Sequence, residues 1–66
     1  MNITLNGELR EIPDTASVAQ LVEILGLSNK RMAMEINEEI VPRSTFEQRI
    51  IQAGDKIEIV GAIGGG

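Results

Sequence analysis

The sequence predicts an α+β domain in which one main helix crosses a mixed sheet of four to five strands. Three observations support this class. Short runs that alternate apolar and polar residues lie near both ends of the chain, one run with helical spacing lies between them, and 66 residues allow only one small core. We therefore expect a single β-sheet domain over residues 1–60, followed by a flexible glycine-rich tail over residues 61–66.

The N-terminal segment predicts a β-hairpin. Residues 1–6 alternate with period two and place Ile3 and Leu5 on one face. Asn6 and Gly7 follow, the dipeptide that best tolerates the positive φ angles of a tight turn. The partner strand is expected over residues 8–12, and Pro13 ends it because proline cannot donate to a strand ladder.

The next segment predicts the helix. Ser17 and Gln20 have the spacing of a capping box, in which the hydroxyl and the side-chain amide satisfy backbone N–H groups reciprocally. Gly26 lies just after the expected end of the helix, where a residue with a left-handed backbone conformation commonly ends it. Apolar residues between them recur at helical spacing: Val18, Leu21, Val22 and Leu25.

Two further strands are predicted in the middle of the chain. Residues 31–36 alternate, with Met32, Met34 and Ile36 on one side. A polar turn over residues 37–39 leads into a short return strand at residues 40–41, which Pro42 stops. A strand that ends this way is expected at the edge of the sheet.

The remaining segment predicts a helical turn and the last strand. The Ser44 to Glu47 stretch repeats the capping-box spacing, and Phe46, Ile50 and Ile51 would then close the open end of the core. A turn at residues 53–55 precedes a strand over residues 56–60, whose isoleucines are expected to point inward: Ile57 and Ile59.

The six C-terminal residues suggest the function. Three consecutive glycines have no side chains to pack and the largest backbone entropy, so an extended, mobile tail is expected. Fully extended, six residues span roughly 20 Å, enough to enter another protein's active site and to present the α-carboxylate of Gly66 there. The alternative is a frayed terminus or an artefact of expression.

Composition excludes several classes of function. The chain contains no cysteine and no histidine, which excludes zinc sites and Ser-His-Asp catalysis. A net charge of −4 and a single aromatic residue argue against nucleic-acid binding. The sequence shows neither a membrane-spanning run nor a targeting signal, so we expect a cytoplasmic protein. We also expect it to be a monomer.

Two groups of polar and exposed residues are weaker candidates. The carboxylates of Glu35, Glu38 and Glu39 could do acid–base chemistry, but a solvated turn is the expected reading. The outer sheet face could form a docking surface, or it could be an ordinary solvent face. Its expected residues are Ala33, Lys56, Glu58 and Val60.

The predicted order of elements is that of the ubiquitin-like β-grasp fold, with the last strand central. Three stretches together resemble the ThiS family of sulfur carriers in thiamine biosynthesis: residues 37–43 (Asn-Glu-Glu-Ile-Val-Pro-Arg), residues 53–60, and the terminal Gly-Gly. The resemblance covers essentially the whole chain.

This resemblance implies a mechanism and partners. A ThiF-type adenylyltransferase, which itself uses ATP and Mg²⁺, would adenylate the carboxylate of Gly66. Sulfur from a donor such as a cysteine desulfurase would convert it to a thiocarboxylate, which thiazole synthase would consume. Gly65 and Gly64 would allow passage of the tail, while Val60, Ala62 and Ile63 would contribute to its exit direction and docking. The chain itself would be a carrier without a bound cofactor, and not an enzyme.

Three alternatives remain open from the sequence. The small subunit of molybdopterin synthase shares the fold and chemistry, although Gly61-Ala62-Ile63 stands where those proteins tend to have a Pro-Pro pair. A ubiquitin-like modifier would transfer the activated carboxyl to a lysine. A plain interaction domain would have an idle tail. Gly64 exceeds the family's minimum of two terminal glycines, which predicts that it is a spacer.

Overall fold

The computed structural model describes residues 1–61 of the chain. Of the predicted tail over residues 61–66, Gly61 is described, and Ala62 to Gly66 lie outside the described residues. Within them the order of elements is as follows: β1 (Asn2–Leu5), β2 (Glu8–Glu11), α1 (Val18–Ile24), β3 (Ala33–Ile36), β4 (Glu39–Val41), a 3₁₀ helix (Arg43–Thr45) and β5 (Lys56–Val60).

One five-stranded sheet has the spatial order β2-β1-β5-β3-β4. The last strand of the chain is therefore the central strand. β5 runs parallel to β1 and antiparallel to β3, while β2 and β4 form the two edges. This arrangement confirms the mixed sheet, the central position of the final strand and the edge position of the short return strand.

Tight turns close both hairpins. Asn6 and Gly7 have φ angles of 50° and 86°, as predicted for the first turn. The second turn uses Asn37 and Glu38, with φ angles of 53° and 70°. Asparagine tolerates the left-handed region better than most residues, which explains its place at the first position of both turns.

Local signals define both ends of α1. The Ser17 hydroxyl accepts a hydrogen bond from the Gln20 amide at 3.1 Å, and the Gln20 side chain accepts one from the Ser17 amide at 2.8 Å. At the other end Gly26 has a φ of 74°, and the amide of Leu27 donates to Val22. Both predicted caps are confirmed.

The core lies between α1 and one face of the sheet. The helix contributes Leu21, which is fully buried, and the central strand contributes Ile57. Each large aliphatic side chain removed from water contributes about 1.5–3 kcal/mol to folding. The remaining buried hydrophobic residues are Ile3, Ile12, Ala16, Val18, Val22, Met34, Ile36, Val41, Phe46 and Ile51.

A helical turn is present near Ser44, as predicted, but the predicted capping box is not. The 3₁₀ helix begins at Arg43, two residues earlier than a cap at Ser44 requires, with Pro42 at its N-cap position and no side-chain capping bond. Ser44 therefore lies inside the turn, where its hydroxyl cannot accept from the first free amides. The Thr45 hydroxyl instead donates to the Pro42 carbonyl at 2.7 Å.

The prediction that Ile50 closes the core is also wrong. Ile50 forms an antiparallel bridge with Ser17, and the chain around it is hydrogen-bonded to the segment that precedes the helix. In extended backbone, neighbouring side chains point to opposite sides. Ile51 is consequently buried at 2% exposure, whereas Ile50 remains 46% exposed. Phe46 does close the core, as predicted.

Candidate functional site

The central strand leads directly to the predicted tail. β5 ends at Val60, which pairs with Ala33 of β3, and Gly61 follows with a φ of 74°. A Cβ at Gly61 would meet nothing within 4 Å, so backbone conformation and not space favours glycine there. Gly61 thus has a left-handed backbone conformation immediately after the last residue of the sheet.

Five residues on the sheet face opposite α1 form what we call the outer patch: Ala33, Glu35, Ile40, Glu58 and Val60. Strand register places them together, because Glu35 lies opposite both Ile40 and Glu58, and Ala33 lies opposite Val60. Ile40 and Val60 are 72% and 55% exposed. The patch is therefore apolar and acidic, and it adjoins Gly61.

The Glu35–Glu58 pair is the electrostatic feature of this patch. Two carboxylates directly opposite each other on neighbouring strands repel, which costs a few tenths of a kcal/mol. A partner that brings a positive charge to the patch would relieve that repulsion. Lys56 is on the same face but already pairs with Glu38, with a distance of 3.5 Å between nitrogen and oxygen.

The three carboxylates considered for acid–base chemistry do not converge. Glu35 faces outward from β3, whereas Glu39 is opposite Ile36 and so lies on the other side of the sheet. Glu38 is exposed in the turn and holds Lys56. Only Glu38 therefore lies in the predicted turn, while Glu35 belongs to β3 and Glu39 to β4.

Other kinds of site receive no support from residues 1–61. Within that range no group of three or more acidic side chains could hold a metal ion. None of the described helices has the length and apolar character needed to cross a membrane.

An open groove of about 550 Å³ lies on the helix side of the sheet, between Gln20 of α1 and Arg43.

The predicted site residues fall into two groups. Val60 lies within the described residues, is exposed, and belongs to the outer patch. Ala62, Ile63, Gly64, Gly65 and Gly66 lie outside the described residues. Sequence reasoning included Ala33, Glu58 and Val60 in the outer face but missed Ile40, since only the register of β4 shows that this residue adjoins them.

A five-stranded mixed sheet with a central final strand, crossed by one helix, defines the class of ubiquitin-like β-grasp proteins. The model of the ThiS family matches residues 3–66. The chain therefore belongs to the ThiS family.

Individual relatives agree with this assignment. The sulfur carrier protein ThiS of Escherichia coli is 35% identical over 66 residues, with complete coverage of both chains. The crystal structure of the thiamine biosynthesis protein ThiS from Geobacter metallireducens has a TM-score of 0.85 and 28% identity, again with both chains fully covered.

A thiazole synthase of Paramagnetospirillum magneticum is 42% identical over 66 residues. That similarity covers the whole of this chain but only 20% of the relative. The chain thus spans about a fifth of the length of this relative, which carries a ThiS-like region inside a larger protein.

Proposed function

We propose that this protein is a sulfur carrier of thiamine biosynthesis and that the α-carboxylate of Gly66 is the group that carries sulfur. The observation that carries the proposal is the match to the ThiS family over residues 3–66, on a fold whose central strand runs into the glycine-rich segment. The absence of cysteine supports it, because the chain has no thiol on which to carry sulfur.

The proposed chemistry takes place in three steps at the C-terminal carboxyl group. In an adenylating enzyme of the ThiF type, the Gly66 carboxylate attacks the α-phosphorus of ATP, and pyrophosphate leaves. A persulfide sulfur then attacks the acyl carbon and displaces AMP, and a thiol reduces the resulting acyl disulfide to the thiocarboxylate. ATP and Mg²⁺ belong to the activating enzyme, and a cysteine desulfurase is the proposed source of the persulfide.

We also propose that thiazole synthase is the acceptor of the sulfur. In the P. magneticum relative, a region similar to this entire chain is covalently part of a thiazole synthase. Covalent linkage of two modules raises their effective concentration for each other, and it is useful where the modules act together. Separate chains are expected to associate through the corresponding surfaces.

The first experiment measures the intact mass of the protein after incubation with ATP, Mg²⁺, a sulfur source and the ThiF-type enzyme of the same organism. Exchange of one oxygen for sulfur adds about 16 Da, which oxidation of one of the three methionines also adds. Fragmentation must therefore place the change at Gly66, and the product must react with a thiol-directed alkylating agent.

Deletion of Gly66 is the matched control and should abolish the mass change. An unmodified terminus in the presence of a demonstrably active enzyme would contradict the proposal. A series of higher masses on other proteins would instead indicate a ubiquitin-like modifier. Transfer of sulfur to a molybdopterin precursor, and not to the thiazole precursor, would indicate the molybdopterin pathway.

We further propose that the outer patch docks the activating enzyme. Val60→Lys removes an exposed apolar side chain and places a positive charge beside Glu58, where the positive charge of the partner is expected, so kcat/KM for adenylation should fall about tenfold or more. Leu9→Lys is the control: Leu9 is 74% exposed on the edge strand β2, and the strand register places it level with Lys56, about 13 Å from Val60 along β5. Equal losses in the two variants would contradict a patch at the tail end of the sheet.

A further inference from the structure

The side chain of Asn6 extends the pairing of the central strand beyond the end of β1. Its Oδ1 accepts a hydrogen bond from the backbone amide of Ile59 at 2.8 Å, and its Nδ2 donates to the Ile59 carbonyl at 3.3 Å. The orientation of the amide follows from these partners, because an N–H requires an acceptor and a carbonyl requires a donor. One side chain thus satisfies both backbone groups of Ile59.

A side chain is needed there because the main chain of β1 has turned away. The parallel ladder between β1 and β5 ends with the pair Leu5–Ile57, after which the Asn6 amide still donates to the Ile57 carbonyl at 2.8 Å. Asn6 then enters the hairpin turn with a φ of 50°. If the ladder continued, the backbone carbonyl of Asn6 would accept a hydrogen bond from the Ile59 amide. The side-chain oxygen of Asn6 accepts that hydrogen bond instead.

A second asparagine makes the same kind of side-chain contact at the opposite end of β5. The Asn37 amide donates to the Lys56 carbonyl at 2.8 Å, and the Asn37 Oδ1 accepts from the Lys56 amide at 3.0 Å. Asn37 also begins a turn, with a φ of 53°. Two asparagines therefore hold the two ends of the central strand, and only Asn6 acts at the end that leads to Gly61.

We propose that Asn6 is a positioning residue that sets the point at which the tail leaves the sheet. The inference rests on the proposed function, since it concerns how the tail is delivered to an activating enzyme. With Asn6, Ile59 is paired toward β1 while β3 holds Val60 through Ala33. Without it, the last residues of β5 have partners only on β3, and the tail gains freedom that the activating enzyme must restrict on binding.

Asn6→Gly and Asn37→Gly form a matched pair of variants. Glycine accepts the positive φ of each turn, so each change removes the side-chain hydrogen bonds without straining the backbone. Asn6→Asp is a partial rescue, because aspartate keeps the acceptor for Ile59 but loses the donor. Circular dichroism and urea unfolding establish that all three variants are folded before other measurements are made.

Amide hydrogen exchange and ¹⁵N relaxation test the positioning role without any enzyme. In Asn6→Gly the Ile59 amide should exchange about tenfold faster, and the order parameters of Val60 and Gly61 should fall. In Asn37→Gly the faster amide should be Lys56, with Val60 and Gly61 unchanged. A uniform acceleration of all protected amides in Asn6→Gly would overturn the inference, since it would indicate global destabilisation only.

Steady-state adenylation tests the consequence for function. Asn6→Gly should raise KM about three- to tenfold, with a smaller change in kcat. The KM of Asn6→Asp should lie between those of Asn6→Gly and the unmodified protein. The KM of Asn37→Gly should stay within about twofold of the unmodified value. Equal KM values for the two glycine variants would overturn the inference. If the unmodified protein is not adenylated, the proposed function fails, and the exchange and relaxation data still decide the role of Asn6.

Discussion

The capping box of α1 makes a sharp prediction, because the chain contains a second serine with the same sequence signature and no cap. We consider Ser17→Ala against Ser44→Ala. Ser17 is 7% exposed, and its hydroxyl accepts from the Gln20 amide at 3.1 Å. Ser44 lies inside the 3₁₀ helix, which has no side-chain capping bond.

The magnitude follows from what each substitution removes. Loss of an N-cap hydroxyl costs about 1 kcal/mol, because the N–H that it satisfied loses its acceptor. A domain of 66 residues has a free energy of unfolding of roughly 3–10 kcal/mol in total. Ser17→Ala should therefore lower Tm by about 4–8 °C, whereas Ser44→Ala should change the free energy of unfolding by less than about 0.5 kcal/mol.

Far-UV circular dichroism is the suitable assay, since the chain has no tryptophan or tyrosine for intrinsic fluorescence. Urea unfolding should show a decrease of about 1 M in the midpoint for Ser17→Ala, at a slope near 1 kcal/mol/M for a domain of this size. The reasoning holds that the capping hydrogen bond, and not the Ser-x-x-Gln/Glu spacing, contributes to the free energy of unfolding. Equal urea midpoints for Ser17→Ala and Ser44→Ala would refute it.

Three further predictions concern the core, the helix end and the tail. Leu21→Ala should lower the free energy of unfolding by about 2–5 kcal/mol in the same urea assay, because Leu21 is fully buried; a loss below 1 kcal/mol would contradict its central place in the core. Gly26→Ala should cost about 1 kcal/mol and Gly26→Asn less, since the φ of 74° and not crowding constrains this position; equal costs would argue against conformational strain. In the tail, Gly64→Ala should retain more adenylation than Gly65→Ala, as measured by pyrophosphate release with the ThiF-type enzyme, and equal losses would show that Gly64 is more than a spacer.

Much of the fold could be predicted because its signals are local. The alternation in β1, the capping box at Ser17 and the turn at Asn6-Gly7 each depend on residues within a few positions of one another. The same local spacing at Ser44 led to a wrong prediction. The 3₁₀ helix has Pro42, and not Ser44, at its N-cap position, so the serine lies inside the turn.

The candidate site could be predicted only in part. The sequence indicates a central final strand that runs into a glycine-rich tail, and it places Val60 on the outer face. It does not show that Ile40 adjoins this face, or that Glu35 lies opposite Glu58, because these contacts depend on strand register. Ile50 illustrates the same limit, since its bridge to Ser17 turned it outward.

The sequence by itself determined the class of fold, the limits of most elements, the absence of thiol and imidazole chemistry, and the glycine composition of the tail. Tertiary structure decided which side chains meet across the sheet. The bond between Asn6 and Ile59 joins residues 53 positions apart, and no local pattern predicts it. Pairings at that separation exist only once the strands have assembled around a shared core, because the burial of that core supplies the free energy that fixes their register.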